Sequence, residues 1–387
     1  MTIHLLIEIL IFIILGLVVY TYVVYPILLG ICSKLFGKRV KSSFDFQPSI
    51  TILIPCYNEE NDIEDLINSV YLSNYPNAKL KILVGSDGSD DRTFEIVTNL
   101  TKKYSNLFCY QFERSGKNLT LNKLIELADT EIIFNIDADL RLSEGALQTM
   151  VSQFADPQVG SVVASVHFTF MEDDNTGRTG ENFYQRYEKY IRTKESSIRG
   201  TVNGLGAFGF RKSVMPSIPN NLICDDMWVL LTSMIQSLRN VYVVDAVAFD
   251  VRKKTLKQEL TRRIRFVSCG ISTVLYAKKL LLPTSGWGAF FLLSHKVLRY
   301  FSPILLILIL LCSVVLTELS VLKYPLIITQ IIFYFSALLG WLFEKKEIKF
   351  APFRFALFFV AMNIGFLLGI IRFLRGQQNA VWTRPNK

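Results

Sequence analysis

The sequence predicts an α/β domain with a mostly parallel sheet, carried by transmembrane helices. Three observations point there. Strand-like apolar runs and helix-like periodic runs alternate from residue 48 onward with connections of a few residues, the pattern of a parallel sheet covered by helices. Long apolar runs occupy both ends of the chain, each of a length that crosses a bilayer. Between them, Ile132-Ile133-Phe134-Asn135-Ile136-Asp137-Ala138-Asp139 reads as a short buried strand ending in two acids one residue apart. At the carboxyl mouth of a strand both acids can turn toward a ligand. Their hard oxygens suit Mg²⁺ or Mn²⁺, which commonly bridge a protein to phosphates; a solvated turn is the plain alternative.

Composition narrows the class. The 387 residues carry 42 Lys and Arg against 33 Asp and Glu, a net charge of +9, and 51% are apolar. That charge suits anionic partners. With long apolar runs and no zinc-finger or basic-zipper signature, membrane lipids and nucleotides are expected and nucleic acid is not. The six cysteines have no paired short spacing and there are only three histidines, which argues against a disulfide framework or a zinc site.

In chain order, Leu5 to Cys32 is nearly uninterrupted apolar sequence. It is too long for a signal peptide and lacks a basic start, so residues 1–33 are expected to be a retained transmembrane helix. Lys34, Lys38, Arg39 and Lys41 follow it and favour a cytoplasmic position for what comes next. The expected cytoplasmic domain spans 48–255. Strands are expected at 49–55, 80–85, 107–111 and 132–136, then at 159–170 and 241–249. Polar clusters fall at the strand ends, at Cys56–Glu60, Ser86–Asp91, Arg114–Asn118 and Asp137–Asp139, where ligands bind in such sheets. Asn203 to Arg211 is glycine-rich, a segment where backbone can approach a ligand closely. Asn221 to Asp226 places two acids before a helix beginning near Met227. Residues 256–297 are expected to form amphipathic interfacial helices, and 298–375 three transmembrane helices, at about 300–317, 322–343 and 353–371. The separator at 344–349 then faces the cytoplasm. The same count puts the basic tail, with Arg372, Arg375, Arg384 and Lys387, on the outer side, against the positive-inside tendency; a re-entrant segment is the alternative.

Together these motifs, in this order, closely resemble the membrane-embedded, inverting family 2 glycosyltransferases, the group of cellulose, chitin and hyaluronan synthases and their bacterial exopolysaccharide relatives. The resemblance covers roughly residues 48–280 and implies a GT-A-like fold. It implies a nucleotide-sugar site in which Pro55, Tyr57 and Glu59 belong to the opening loop, Asp87 recognises the nucleobase and ribose region, and Lys117 lies near the diphosphate. Asp137 and Asp139 resemble the metal-binding pair, for Mg²⁺ or Mn²⁺, with Asp137 also on the donor. Gly206 and Phe208 lie in the stretch that resembles the acceptor-side loop. Cys224-Asp225-Asp226 occupies the place of a Thr-Glu-Asp motif, making Asp226 the candidate catalytic base and Asp225 an acceptor-side acid. Arg262-Arg263-Ile264-Arg265-Phe266 stands where Gln-x-x-Arg-Trp is expected. Arg265 is retained on the donor side, Arg262 adds a charge there, and Phe266 keeps a ring to stack on a sugar but lacks the indole N–H.

The implied activity is inverting transfer of a hexose or N-acetylhexosamine from a nucleotide sugar, expected to be UDP-linked, to a growing polysaccharide, coupled to translocation across the cell membrane. Accessory export subunits or a homo-oligomer are compatible with it. Two alternatives stand: single-sugar transfer to a lipid phosphate or lipid-linked oligosaccharide, and a non-enzymatic membrane subunit that binds a nucleotide.

Overall fold

A computed structural model describes residues 2–168, 175–215, 217–219, 222–250, 256–316, 321–344 and 350–377. The separator at 345–349, the boundary at 251–255, the end of the expected 159–170 strand, Asn221, and the tail with Arg384 and Lys387 lie outside the described residues.

The sheet grows around β1 (Ile50–Cys56), a β-branched run in which every residue is buried. Its neighbours are β2 (Leu80–Asp87) and β4 (Ile132–Ile136), both parallel, with Ile50 in register with Leu80 and with Ile132. β3 (Leu107–Phe112) adds in parallel beyond β2. The other half is mixed. β7 (Ala207–Arg211) runs antiparallel to β4 and to β6 (Val159–Phe168), β8 (Arg239–Asp250) is parallel to β6, and β5 (Leu140–Leu142) closes the edge antiparallel to β8. The strand order is β3-β2-β1-β4-β7-β6-β8-β5.

The period-2 alternation of β1 assigns its side chains to two cores. Ile50, Ile52 and Ile54 pack with α3 (Ile63–Tyr71), α4 (Thr93–Thr101) and α6 (Ala146–Ser152). Leu53 points the other way, to Leu83, Ile133, Phe208 and Phe210 and to α5 (Lys117–Leu127) and α8 (Asp225–Ile235). The strand ends that carry the polar clusters are thereby fixed from both faces.

Among the described residues, four helical stretches are long and apolar enough to cross a membrane: Leu5–Phe36, Trp287–Val315, Lys323–Phe343 and Ala351–Leu374. The first comprises α1 (Thr2–Val19), a π-helical turn and α2 (Tyr25–Phe36). After α7 (Asn175–Ile198) and α9 (Leu256–Tyr276), the second joins α10 (Trp287–Phe291) through a π turn to α11 (Leu298–Val315). The expected break near residue 298 is therefore absent, because helix continues through Leu292–Val297. The last two are α12 (Lys323–Glu344) and α13 (Ala351–Leu374). α9 lies along α13, where Gly365 and Gly369 allow the close approach: a Cβ at 369 would sit 2.7 Å from Val267 Cβ. Small residues bring helices together this way in bilayers.

Candidate active site

The site is built where β2, β4 and the starts of α5 and α8 meet. At the end of β4 the chain turns through Asp137-Ala138-Asp139 into β5. Both acids are half-buried. From the opposite side, Lys117 at the first position of α5 donates to Asp137 Oδ1 at 2.7 Å and reaches Asp225 Oδ2 at 2.9 Å. Asp225 is buried at the first position of α8, also facing Asn135 Nδ2 at 3.5 Å. Asp226 follows at the second position and accepts from the Met227 N–H at 2.7 Å. Acids in a helix's first turn are favoured by its dipole.

Burial sets the electrostatics of this group. It pulls the Lys117 ammonium down, but Asp137 and Asp225 together outweigh it and hold that pKa above the ordinary lysine value. Burial raises Asp137, assisted by Asp225, against Lys117 and the field of Arg265. Asp226 is pushed up to about 6 by burial and by Asp225, with Lys117 and Lys296 opposing.

The glycine-rich segment closes the third side. The Asp137 N–H donates to the Gly206 carbonyl at 2.8 Å, and a Cβ on Gly206 would come 2.7 Å from the Asp137 carboxyl carbon. A Cβ on Gly204 would meet Asp226 Cβ at 2.8 Å. Both glycines are required by contact with a site acid. Beyond them the segment expected to be loop becomes β7, and Phe208 corrects its expectation: fully buried with Leu53, Leu83 and Leu121, its ring packs the core and does not line the acceptor side.

The expected nucleotide loop is ordered by its own charges. Asp87, 2% exposed at the end of β2, accepts from Arg114 Nη1, from the Ser115 N–H at 2.7 Å and from the Gly116 N–H at 2.9 Å. Arg114 in turn lies over the Tyr57 ring, 3.4 Å from its centroid. Pro55 is buried at the end of β1, and Glu59 is buried with its N–H on Thr93 Oγ1 at 2.7 Å. Asp87 thus holds the loop before Lys117 in place. On α9, the Arg262 and Arg265 guanidiniums flank Phe266, at 5.4 and 5.7 Å from its ring centroid. Neighbouring Arg263 turns inward, donating to Tyr184 Oη at 2.9 Å.

The residues fit a divalent metal shared with a substrate. Among the described residues no three His, Cys, Asp or Glu side chains form a protein-only metal cage. Two carboxylates are what Mg²⁺-type ions take from a protein when phosphate oxygens and waters complete the shell, and Asp137 and Asp139 supply that set.

Lys296, Glu188, His295 and Arg299 also bear on the site and were not expected; Asn203, at the start of the expected glycine-rich segment, joins them. The signal for three of them was present: His295, Lys296 and Arg299 interrupt an apolar helix, and ionisable groups in such segments are costly and commonly functional.

The strand ends of this α/β sheet thus gather an acid pair, a bridging lysine and a further acid across from it. Residues 51–218 match the family described as Glycosyl transferase family 2. The chain carries a family 2 glycosyltransferase domain, and its described residues include four helices long and apolar enough to cross a membrane. It is similar to poly-beta-1,6-N-acetyl-D-glucosamine synthase of Staphylococcus aureus, with 26% identity over 245 residues covering 62% of this chain. It is also similar to glycosyltransferase AglE of Haloferax volcanii, with 30% identity over 182 residues covering 46% of this chain. The matched region spans 58% of the length of each relative. The structure of mannosyltransferase PcManGT from Pyrobaculum calidifontis, in complex with GDP-Man and Mn²⁺, matches over 95% of this chain and 99% of that one, with a TM-score of 0.74 and 20% identity. The fold is GT-A-like.

Proposed function

We propose that this protein transfers a hexose or N-acetylhexosamine, with inversion, from a UDP-sugar to a growing polysaccharide, with its catalytic domain in the cytoplasm. The observation that carries the reading is the Lys117 bridge between Asp137 and Asp225, which gathers the acid pair and the start of α8 around one point. The relative named as a poly-N-acetylglucosamine synthase supports the polymer and the sugar class. Coupling to translocation is supported by the four apolar helices.

In this reading Asp137 and Asp139 would hold Mg²⁺ or Mn²⁺, which when bound offsets the charge on the leaving diphosphate. Lys117 and Arg265 add positive charge on the same side. Asp226 takes the proton of the acceptor hydroxyl as its oxygen attacks the anomeric carbon. The bond from that carbon to the diphosphate oxygen breaks, and its electron pair leaves with the nucleoside diphosphate. One displacement inverts the centre, and no covalent sugar–enzyme intermediate is needed. Tyr57, Glu59 and Asp87 order the nucleotide end, with Pro55 at the strand exit. Gly206, Asp225 and Phe266 border the acceptor.

A second reading, transfer of one sugar to a lipid phosphate or lipid-linked oligosaccharide, is favoured by Arg262 on a helix that packs along a membrane-length helix. The test is a panel of radiolabelled UDP-N-acetylglucosamine, UDP-glucose and GDP-mannose given to purified full-length protein with Mn²⁺, followed by product sizing. High-mass, water-soluble product that lengthens with time supports polymerisation. Organic-extractable product with one added sugar supports the second reading, and no transfer from any donor contradicts both.

A further inference from the structure

The long helix from Trp287 to Val315 carries a charged patch next to the site. Arg299 donates to Glu188 of α7. His295 stands between two carboxylates, Glu195 at 2.7 Å and Glu188 at 3.2 Å. Tyr25 of α2 donates to Glu195 at 2.6 Å, and Thr201 Oγ1 does so at 3.1 Å. Glu188, Glu195, His295 and Arg299 are all buried. The cluster ties α2, α7 and the second apolar helix into one unit: Glu188 pairs with Arg299 through Nη1, and both carboxylates meet the His295 ring, while Arg299 Nε and Nη2 have no hydrogen-bond partner among the described residues. Buried charge survives only when paired in this way.

Lys296 is different. Its ammonium leaves the cluster and donates to Asn203 Oδ1 at 2.7 Å. The same amide donates through Nδ2 to Glu188 Oε2 at 3.0 Å. Asn203 is therefore gripped from both sides, by a cation on one helix and a carboxylate on another. The residue after it, Gly204, lies against Asp226, and Gly206 accepts from the Asp137 N–H. A short segment thus runs from a membrane-side anchor to both site acids. The field of Lys296 also reaches Asp226, where it opposes the effect of burial.

We propose that Lys296 is a positioning residue for transfer at Asp226: with Glu188 it fixes Asn203, and through Asn203 it holds residues 203–206 against Asp226 and Asp137. The inference rests on the reading of Asp226 as the base. The geometry of the acceptor side is then keyed to the packing of the membrane-length helices, so the soluble fold alone does not set it.

The test compares full-length wild type, K296M, K296R, N203L and the K296M/N203L double variant in detergent, with Mn²⁺ and the three donors above, alongside amide hydrogen exchange. Loss of positioning is expected to lower kcat in K296M by about 10- to 100-fold with donor KM within about 2-fold. K296R, which keeps the charge and a donor, should recover most of that loss. The double variant should be no worse than the more impaired single variant, because both break the same tie. Exchange at residues 203–206 should rise in K296M while β4 stays protected. Wild-type kcat in K296M, equal impairment of K296M and K296R, or unchanged exchange at 203–206 would each overturn the proposal; the exchange measurement needs no donor. An inactive D226N beside a fully active K296M overturns this inference alone, whereas full turnover by D226N overturns the assignment of the base.

Discussion

Asp225 and Asp226 are adjacent in sequence and differ in their surroundings. Asp225 spends its charge on Lys117, whereas Asp226 has the Met227 N–H and a field from Asp225 that disfavours ionisation. A carboxyl pushed up to about 6 is protonated below that pH and ionised above it, and a base must be ionised to accept a proton. The pH profile of kcat/KM is therefore expected to fall on the acid side with a midpoint near 6; a profile flat down to pH 4.5 would contradict the assignment. In the sequence Asp137 and Asp139 stood out as acids at a strand exit and Lys117 fell in a polar cluster at another, whereas Asp226 was singled out by the resemblance of Cys224-Asp225-Asp226 to a Thr-Glu-Asp motif. The sequence did not show that one lysine joins Asp137 to Asp225, a contact made between residues 117 and 225 that depends on the packing of α5 beside α8.

At the scale of elements, the turn after β4 and the segment before β7 meet through glycine. At Gly206 a methyl group would displace the Asp137 side chain itself. Displacement of a catalytic group by about 1 Å costs on the order of 10²-fold in rate, so G206A is expected to lose about that much turnover while keeping its thermal transition within a few degrees. A G206A protein with wild-type kcat would contradict the close contact. The strands at the front of the chain were legible because β-branched runs end at Pro, Gly or Asp. β7 was read as loop because two glycines flank its start and middle, and β5 is three residues long, too short for any alternation to register. The resemblance placed Phe208 in the acceptor-side loop, but β-strand alternation turns it to the face that packs against α5 and α8.

At the scale of the molecule, the apolar ends were the plainest feature of the sequence, and the described residues include four long apolar helices. What hydropathy alone concealed is that three of them also pack on the catalytic domain, α13 through Phe355 and Phe358 against Phe183 and Tyr184 of α7. Tyr25 and Leu29 of α2 are fully buried in a cluster with Ile191, Phe291 and Met227, the residue after Asp226. Removing residues 1–36 uncovers that surface and leaves Glu195 without its Tyr25 donor, so the truncated protein is expected to aggregate when extracted into mild detergent. A monodisperse, active truncation would show that the first helix serves only as an anchor. The polar cluster around His295 was missed because apolar windows average over His295, Lys296 and Arg299.

The central claim is that Asp226 accepts the proton of the attacking hydroxyl in sugar transfer at the centre formed by Asp137, Asp139, Lys117 and Asp225. Its most direct test is transfer of labelled sugar by D226N, measured beside binding of UDP with Mn²⁺ to the same protein. Removing a general base is expected to cost about 10²- to 10⁴-fold in kcat, with UDP binding retained. D226N turning over at the wild-type rate while binding UDP normally would contradict it.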